Sequence, residues 1–213
     1  METDSTITDW KRRLIAMAEN PPYAFRDTPQ SLIDEYQHRL TTFMGYSEQE
    51  VTAAESRLGV QFPQMFRAYL LELGKSRGEL YCNSLMAGIT EFEQFQADAL
   101  ALITETDPGL SLPSDAVVFL LYCGETYVYL QADGGFDGPT MQWIEPKREL
   151  KQVATTFALM VDAELRSMER IQKVFRDQGG FYLTLHPDGG ATQTFPALSK
   201  GELPLGKKSN DKQ

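Results

Sequence analysis

The sequence predicts an α+β fold: a mostly antiparallel sheet flanked by helices, with extra helices ahead of it and a β-hairpin behind it. Three observations carry this. Apolar residues recur at helical spacing in several short N-terminal segments. Dense apolar runs of strand length then follow, joined by links too short for a parallel crossover. A long amphipathic stretch comes next, and two alternating runs close the pattern around Pro187-Asp188-Gly189-Gly190.

Residues 5–18 read as an amphipathic helix with Ile7, Trp10, Leu14 and Met17 on one face, ended by Pro21-Pro22. Thr28-Pro29 opens a second helix with proline at its first position. Its apolar face is Leu32, Ile33, Tyr36, Leu40, Phe43 and Met44, and Gly45 stops it. Ser47-Glu48-Gln49-Glu50 has the form of a capping box before Val51, Ala54 and Leu58. Phe62-Pro63 starts a fourth helix with Phe66, Tyr69, Leu70 and Leu73 inward and Gly74 at its end. Leu80 to Leu85 reads as a strand. Thr90 is a cap candidate for a helix carrying Phe92, Phe95, Ala99 and Leu102, broken at Pro108-Gly109.

Ala116 to Cys123 and Tyr127 to Gln131 form a hairpin across Gly124-Glu125, and Thr140 to Ile144 adds a strand after a Gly-rich loop. Glu149 to about Arg176 reads as one long helix with Leu150, Val153, Phe157, Met160 and Met168 inward. Phe181 to His186 and Ala191 to Phe195 make the final hairpin. The chain divides into a helical extension (1–46), a central α+β domain (47–177), a hairpin (178–198) and a polar tail (199–213) expected to be disordered.

With 213 residues, 42% of them apolar, the chain can build a sizeable core. No apolar run approaches the roughly 18 to 20 residues that span a bilayer. Met1 to Trp10 carries acids and hydroxyls, unlike a secretory signal, so a cytoplasmic location is expected. Cys82 and Cys123 sit in apolar stretches and read as buried reduced thiols.

The net charge is −10, unevenly spread. All 20 Lys and Arg lie outside Gly78 to Pro146, a stretch holding eleven acids: Glu79, Glu91, Glu93, Asp98, Glu105, Asp107, Asp115, Glu125, Asp133, Asp137 and Glu145. These carboxylates must face water, meet cations from the flanks or meet a partner. Such a field repels nucleic acid and anionic membrane and attracts basic proteins. Solubility alone would also explain it.

Gly74-Lys75-Ser76-Arg77-Gly78 matches the hydrolase nucleophile pattern, but a helix precedes the serine and a strand follows, the reverse of what exposes the hydroxyl. A triad would also need His186, the single downstream histidine. Neither His38 nor His186 has a metal-ligand partner at a recognised spacing. Asp133 and Asp137 bracket Gly-Gly-Phe, but that loop lacks the oxygen density of a calcium site and reads as a turn. No phosphate loop is present, and no cofactor is expected. Aromatics cluster in the acidic region: Tyr122, Tyr127, Tyr129, Phe136 and Trp143. Tyr and Trp among acids are the composition of a contact surface for a basic partner, or of a sheet core. The candidate partner-binding residues are Glu125, Tyr127, Tyr129, Asp133, Asp137, Trp143 and Glu145.

From about Ser47 to about Arg170 the chain resembles the SUKH superfamily, which includes the fungal Smi/Knr cell-wall regulators and many bacterial immunity proteins. The residues that carry the resemblance are the opening helix ending Arg57-Leu58-Gly59, then Phe62-Pro63 with Phe66, Tyr69, Leu70 and Gly74. The strand pair Val117 to Gln131, the strand around Trp143, and Ala154, Thr156 and Phe157 complete it. Two departures stand out: the roughly 45 residues ahead of the match with the hairpin and tail behind it, and Lys-Ser-Arg-Gly after Gly74 where the family has Asn-Gly-Gly. The resemblance implies a mostly antiparallel α+β domain without catalytic residues or cofactor. In bacteria it implies neutralisation of a cognate secreted toxin; in fungi, scaffolding in signalling. The expected partner is a basic protein such as a toxin domain; the oligomeric state stays open.

Overall fold

The computed structural model describes residues 2–21, 29–82, 84–122, 126–144, 147, 149–177, 182–185 and 191–194. Its architecture is α+β, with a five-stranded antiparallel sheet between two helical layers. Helix α1 (Glu2–Glu19) precedes α2 (Gln30–Thr41). Phe43 and Met44, expected to extend α2, instead form the short strand β1 (Phe43–Met44) against β2 (Ser76–Arg77). The reason lies next door. A Cβ at Gly45 would sit 1.6 Å from the Leu71 carbonyl oxygen, and the Tyr46 N–H donates to Leu70 O at 2.9 Å. The chain therefore crosses α4 (Gln64–Leu73) as extended backbone.

Helix α3 (Glu48–Leu58) carries the capping box: Ser47 Oγ accepts the Glu50 N–H, and the Glu50 carboxylate accepts the Ser47 N–H at 2.7 Å. Gly59, at φ 69°, closes it in the left-handed conformation. The strand expected over Leu80 to Leu85 is the shorter β3 (Ser84–Met86), because Leu80 and Tyr81 turn the chain, with Tyr81 at φ 56°. Cys82 follows that turn and is exposed, not buried as expected; Cys123 lies outside the described residues. In α5 (Phe92–Thr106) Glu91, not Thr90, occupies the cap position.

Strands β4 (Ala116–Tyr122), β5 (Thr126–Gln131), β6 (Thr140–Ile144) and β7 (Glu149–Ala154) join β3 in the order β3-β4-β5-β6-β7. β7 corrects the sequence expectation, which ran one helix from Glu149. Leu150 pairs with Trp143 and Lys151 with Gln142, so the exposed edge of β6 captures these residues as a strand. Helix α6 (Phe157–Asp177) starts after Thr155-Thr156, and the Thr156 hydroxyl accepts the Leu159 N–H at 3.2 Å. The hairpin expected near the C-terminus is present as β8 (Tyr182–Leu185) against β9 (Ala191–Thr194). The tail from Ser199 lies outside the described residues.

A bulge in β4 between Val118 and Leu120 puts Phe119 and Leu120 on one face. That face carries the larger core. There Phe66 meets Phe157 edge-on at 5.1 Å and packs on Phe119 at 5.5 Å. The helix α1 stripe of Ile7, Trp10, Leu14 and Met17 is buried in the same cluster, with Trp10 against Phe157. Arg13 fastens α1 to α6 through Glu169 at 2.7 Å and Asp162 at 2.9 Å. The N-terminal helix thus completes the core of the sheet domain.

Candidate functional site

The loop between β5 and β6 is a clasp. Asp133 Oδ1 accepts the Gly135 N–H at 2.9 Å, and Gly134 turns at φ 72° to donate to Gln61 O. The carbonyls of Gly135 and Phe136 accept the N–H groups of Gln64 and Met65, the otherwise orphaned donors at the start of α4. Asp137 turns the other way and accepts from Phe157 at 2.9 Å and Ala158 at 3.1 Å, at the start of α6. Burial pushes the Asp137 carboxyl above its ordinary range, and those N–H groups pull back only part of it. Among the described residues no group of three or more His, Cys, Asp or Glu could hold a metal ion.

Beside the clasp, Glu55, Asp115 and Asp133 line a shallow recess of about 670 Å³ floored by Gly59 and Val60. Glu55 is engaged: its carboxylate accepts the Phe62 N–H at 2.9 Å and faces Arg67 at 3.5 Å. Asp115 and Asp133 have no ion pair among the described residues.

Of the eleven acids in the cation-free stretch, Glu79 meets Arg39 and Glu93 meets Arg57, both at 2.6 Å, cations brought in from the flanks. Glu91 accepts the Gly88 N–H at 2.6 Å. Glu91, Asp98, Glu105, Asp107, Asp115, Asp133 and Asp137 therefore meet no cation among the described residues, and Glu125 and Glu145 lie outside them.

The aromatic candidates lie elsewhere. Tyr127, Tyr129 and Trp143 are 8%, 2% and 0% exposed and form a second core with Ala99 and Ile103 of α5. The reason is registry: Tyr127 pairs with Trp143 and Tyr129 with Met141, on the sheet face that α5 covers. These three are core side chains, not a docking face. Asp133 and Asp137 share the clasp but point to different partners; Glu125 and Glu145 lie outside the described residues. Ser76 spends its hydroxyl on the Thr42 carbonyl at 2.8 Å, and His186 lies outside the described residues.

Sequence reasoning missed a groove of about 1390 Å³ between α6 and the sheet. Leu159, Ala163, Ser167 and Ile171, at four-residue spacing, form its helical wall; Leu120, Val128 and Gln142, paired across three strands, form its floor. The signal was a second apolar row on α6, off the Phe157, Met160, Leu165 stripe. Reading β7 as helix hid the floor. Inside, Glu164 is half-buried and raised by that burial, with the Tyr81 backbone N–H donating to it.

The model of the SMI1 / KNR4 family (SUKH-1) matches residues 45–163. Among curated proteins, none matches the chain. The family match starts at the Gly45 crossing of α4 and ends within α6, so it spans the sheet, the clasp, the acidic recess and part of the groove wall. This chain belongs to the SMI1 / KNR4 (SUKH-1) family.

Proposed function

We propose that this chain is a non-enzymatic protein-binding module of the immunity type, acting in the cytoplasm to neutralise a basic cognate toxin by covering its active surface. The observation that carries the reading is that five carboxylates, Asp98, Glu105, Asp107, Asp115 and Asp133, meet no cation among the described residues of a SMI1 / KNR4 family domain. Uncompensated negative charge raises the local potential, speeds capture of an opposite surface and repels nucleic acid. Two of the five flank a recess shallow enough for a convex basic surface to settle on. No described helix is long and apolar enough to cross a membrane.

The test is co-expression with the product of the adjacent gene, then native mass spectrometry at low and high salt. A one-to-one complex with a basic protein, weakened by salt, supports the reading. Recovery of the chain alone at low salt, together with unrelieved growth inhibition by that gene product, would overturn it.

A further inference from the structure

We propose that the groove between α6 and the sheet seats a basic anchor of a protein partner: a lysine or arginine whose charged head meets Glu164, carried in a segment whose flanking apolar residues lie on Leu159 and Ile171. This rests on the protein-binding reading and adds a second surface to it, with its own chemistry.

Large hydrophobics scattered singly on a surface are ordinary; gathered ones mark interaction. Tyr122, Val153, Leu159 and Ile171 are 51%, 42%, 47% and 48% exposed, and all four border this groove. At about 1390 Å³ the space exceeds the roughly 300 to 1,000 Å³ typical of small-molecule pockets, and it suits a polypeptide segment.

Charge then selects the occupant. Glu79 is taken by Arg39 and Arg166 by Asp162, which leaves Glu164 as the groove's carboxylate without an ion pair among the described residues. It is held in place by the backbone of Tyr81, a non-glycine residue at φ 56°. A carboxylate between apolar walls attracts a cation more strongly than one in open water. Lys and Arg supply both halves of the match, an aliphatic stem for the walls and a head for the carboxylate. An acidic or purely apolar segment would leave Glu164 repelled or stranded.

A random peptide library displayed on phage is selected against the full chain and counter-selected against Leu159→Glu. Leu159 is exposed, so that variant should melt with the parent. Peptides enriched on the parent should carry Lys or Arg beside aliphatic or aromatic residues. They should bind Glu164→Gln about tenfold or more weaker. If Glu164→Gln does not fold, Ile171→Lys serves in its place and should repel the same peptides.

Three results overturn the inference: no enrichment over Leu159→Glu, enriched peptides without a cation, or a dimer of the chain that Leu159→Glu dissolves. The cognate toxin separates the two readings. If it binds Glu164→Gln as tightly as the parent, the groove proposal falls and the acidic-surface reading stands. If groove peptides bind but no toxin is captured, the reverse holds.

Discussion

Asp137 and Phe157 stand 20 positions apart in the chain, and the carboxylate of the first receives the backbone N–H of the second at 2.9 Å. A residue between two strands thereby starts the longest of the described helices. Removing such a cap costs roughly 1 to 2 kcal/mol. Asp137→Ala should lower stability by that amount in urea unfolding followed by circular dichroism. Asp137→Asn, which can still accept, should lose less.

Acid stability should depend on Glu50. Its bonds from the Ser47 N–H, Lys75 and the Ser47 hydroxyl hold its carboxyl down from 4.5 to about 2. A folded value below the unfolded one means that the unfolded chain binds more protons between them. This contribution is therefore complete above about 4.5 and is lost as pH falls toward about 2. Unfolding midpoints of Glu50→Gln should fall less steeply over that window than those of the parent; parallel curves would refute the assignment.

The helix ahead of the family match is expected to be indispensable. Trp10 is 1% exposed and stacks edge-on against Phe157 at 6.4 Å. Trp10→Ala should cost about 3 to 5 kcal/mol, the usual range for an aromatic core truncation. A chain starting at Gly45 should give collapsed amide dispersion in NMR.

Gly45 should tolerate nothing larger. Its missing Cβ is what lets the chain pass the Leu71 carbonyl, which lies 1.6 Å from where that atom would be. The obstacle is helix backbone, so it cannot swing aside. Gly45→Ala should exceed about 3 kcal/mol of destabilisation, the upper end of ordinary substitutions. A thermal melt unchanged from the parent would show that the crossing has slack.

The acidic surface can be tested apart from the fold. Asp107→Asn, Asp115→Asn and Asp133→Asn combined should leave the melting temperature nearly unchanged. The association rate with the proposed basic partner at low salt should drop by about an order of magnitude, and the salt dependence should flatten. Stopped-flow mixing reads both.

Much of this fold was legible because local chemistry and tertiary context agreed. Ser47 to Glu50 capped as its spelling predicts, and Trp10, Leu14 and Met17 went inward as their spacing requires. What was not legible depended on neighbours distant in sequence. Phe43-Met44 became a strand because Ser76-Arg77 lay opposite, and Glu149 to Ala154 because β6 offered an open edge. The site suffered from the same blindness. Tyr127, Tyr129 and Trp143 look alike in sequence whether a sheet face is bare or roofed, and α5 roofs this one. The acid-rich pattern showed where cations were missing from the sequence, but not that Arg39 and Arg57 would come back to meet Glu79 and Glu93.

The Arg13 fork on Glu169 and the Gln172 amide on the Met17 carbonyl bridge 156 and 155 positions. During synthesis, the stripe around Trp10 can meet α2 and α4 early, but its ring contact with Phe157 and the Arg13 fork wait until α6 has left the ribosome. Closing so long a loop is entropically expensive and slow. The N-terminal helix is therefore among the first elements made and among the last to be locked in place.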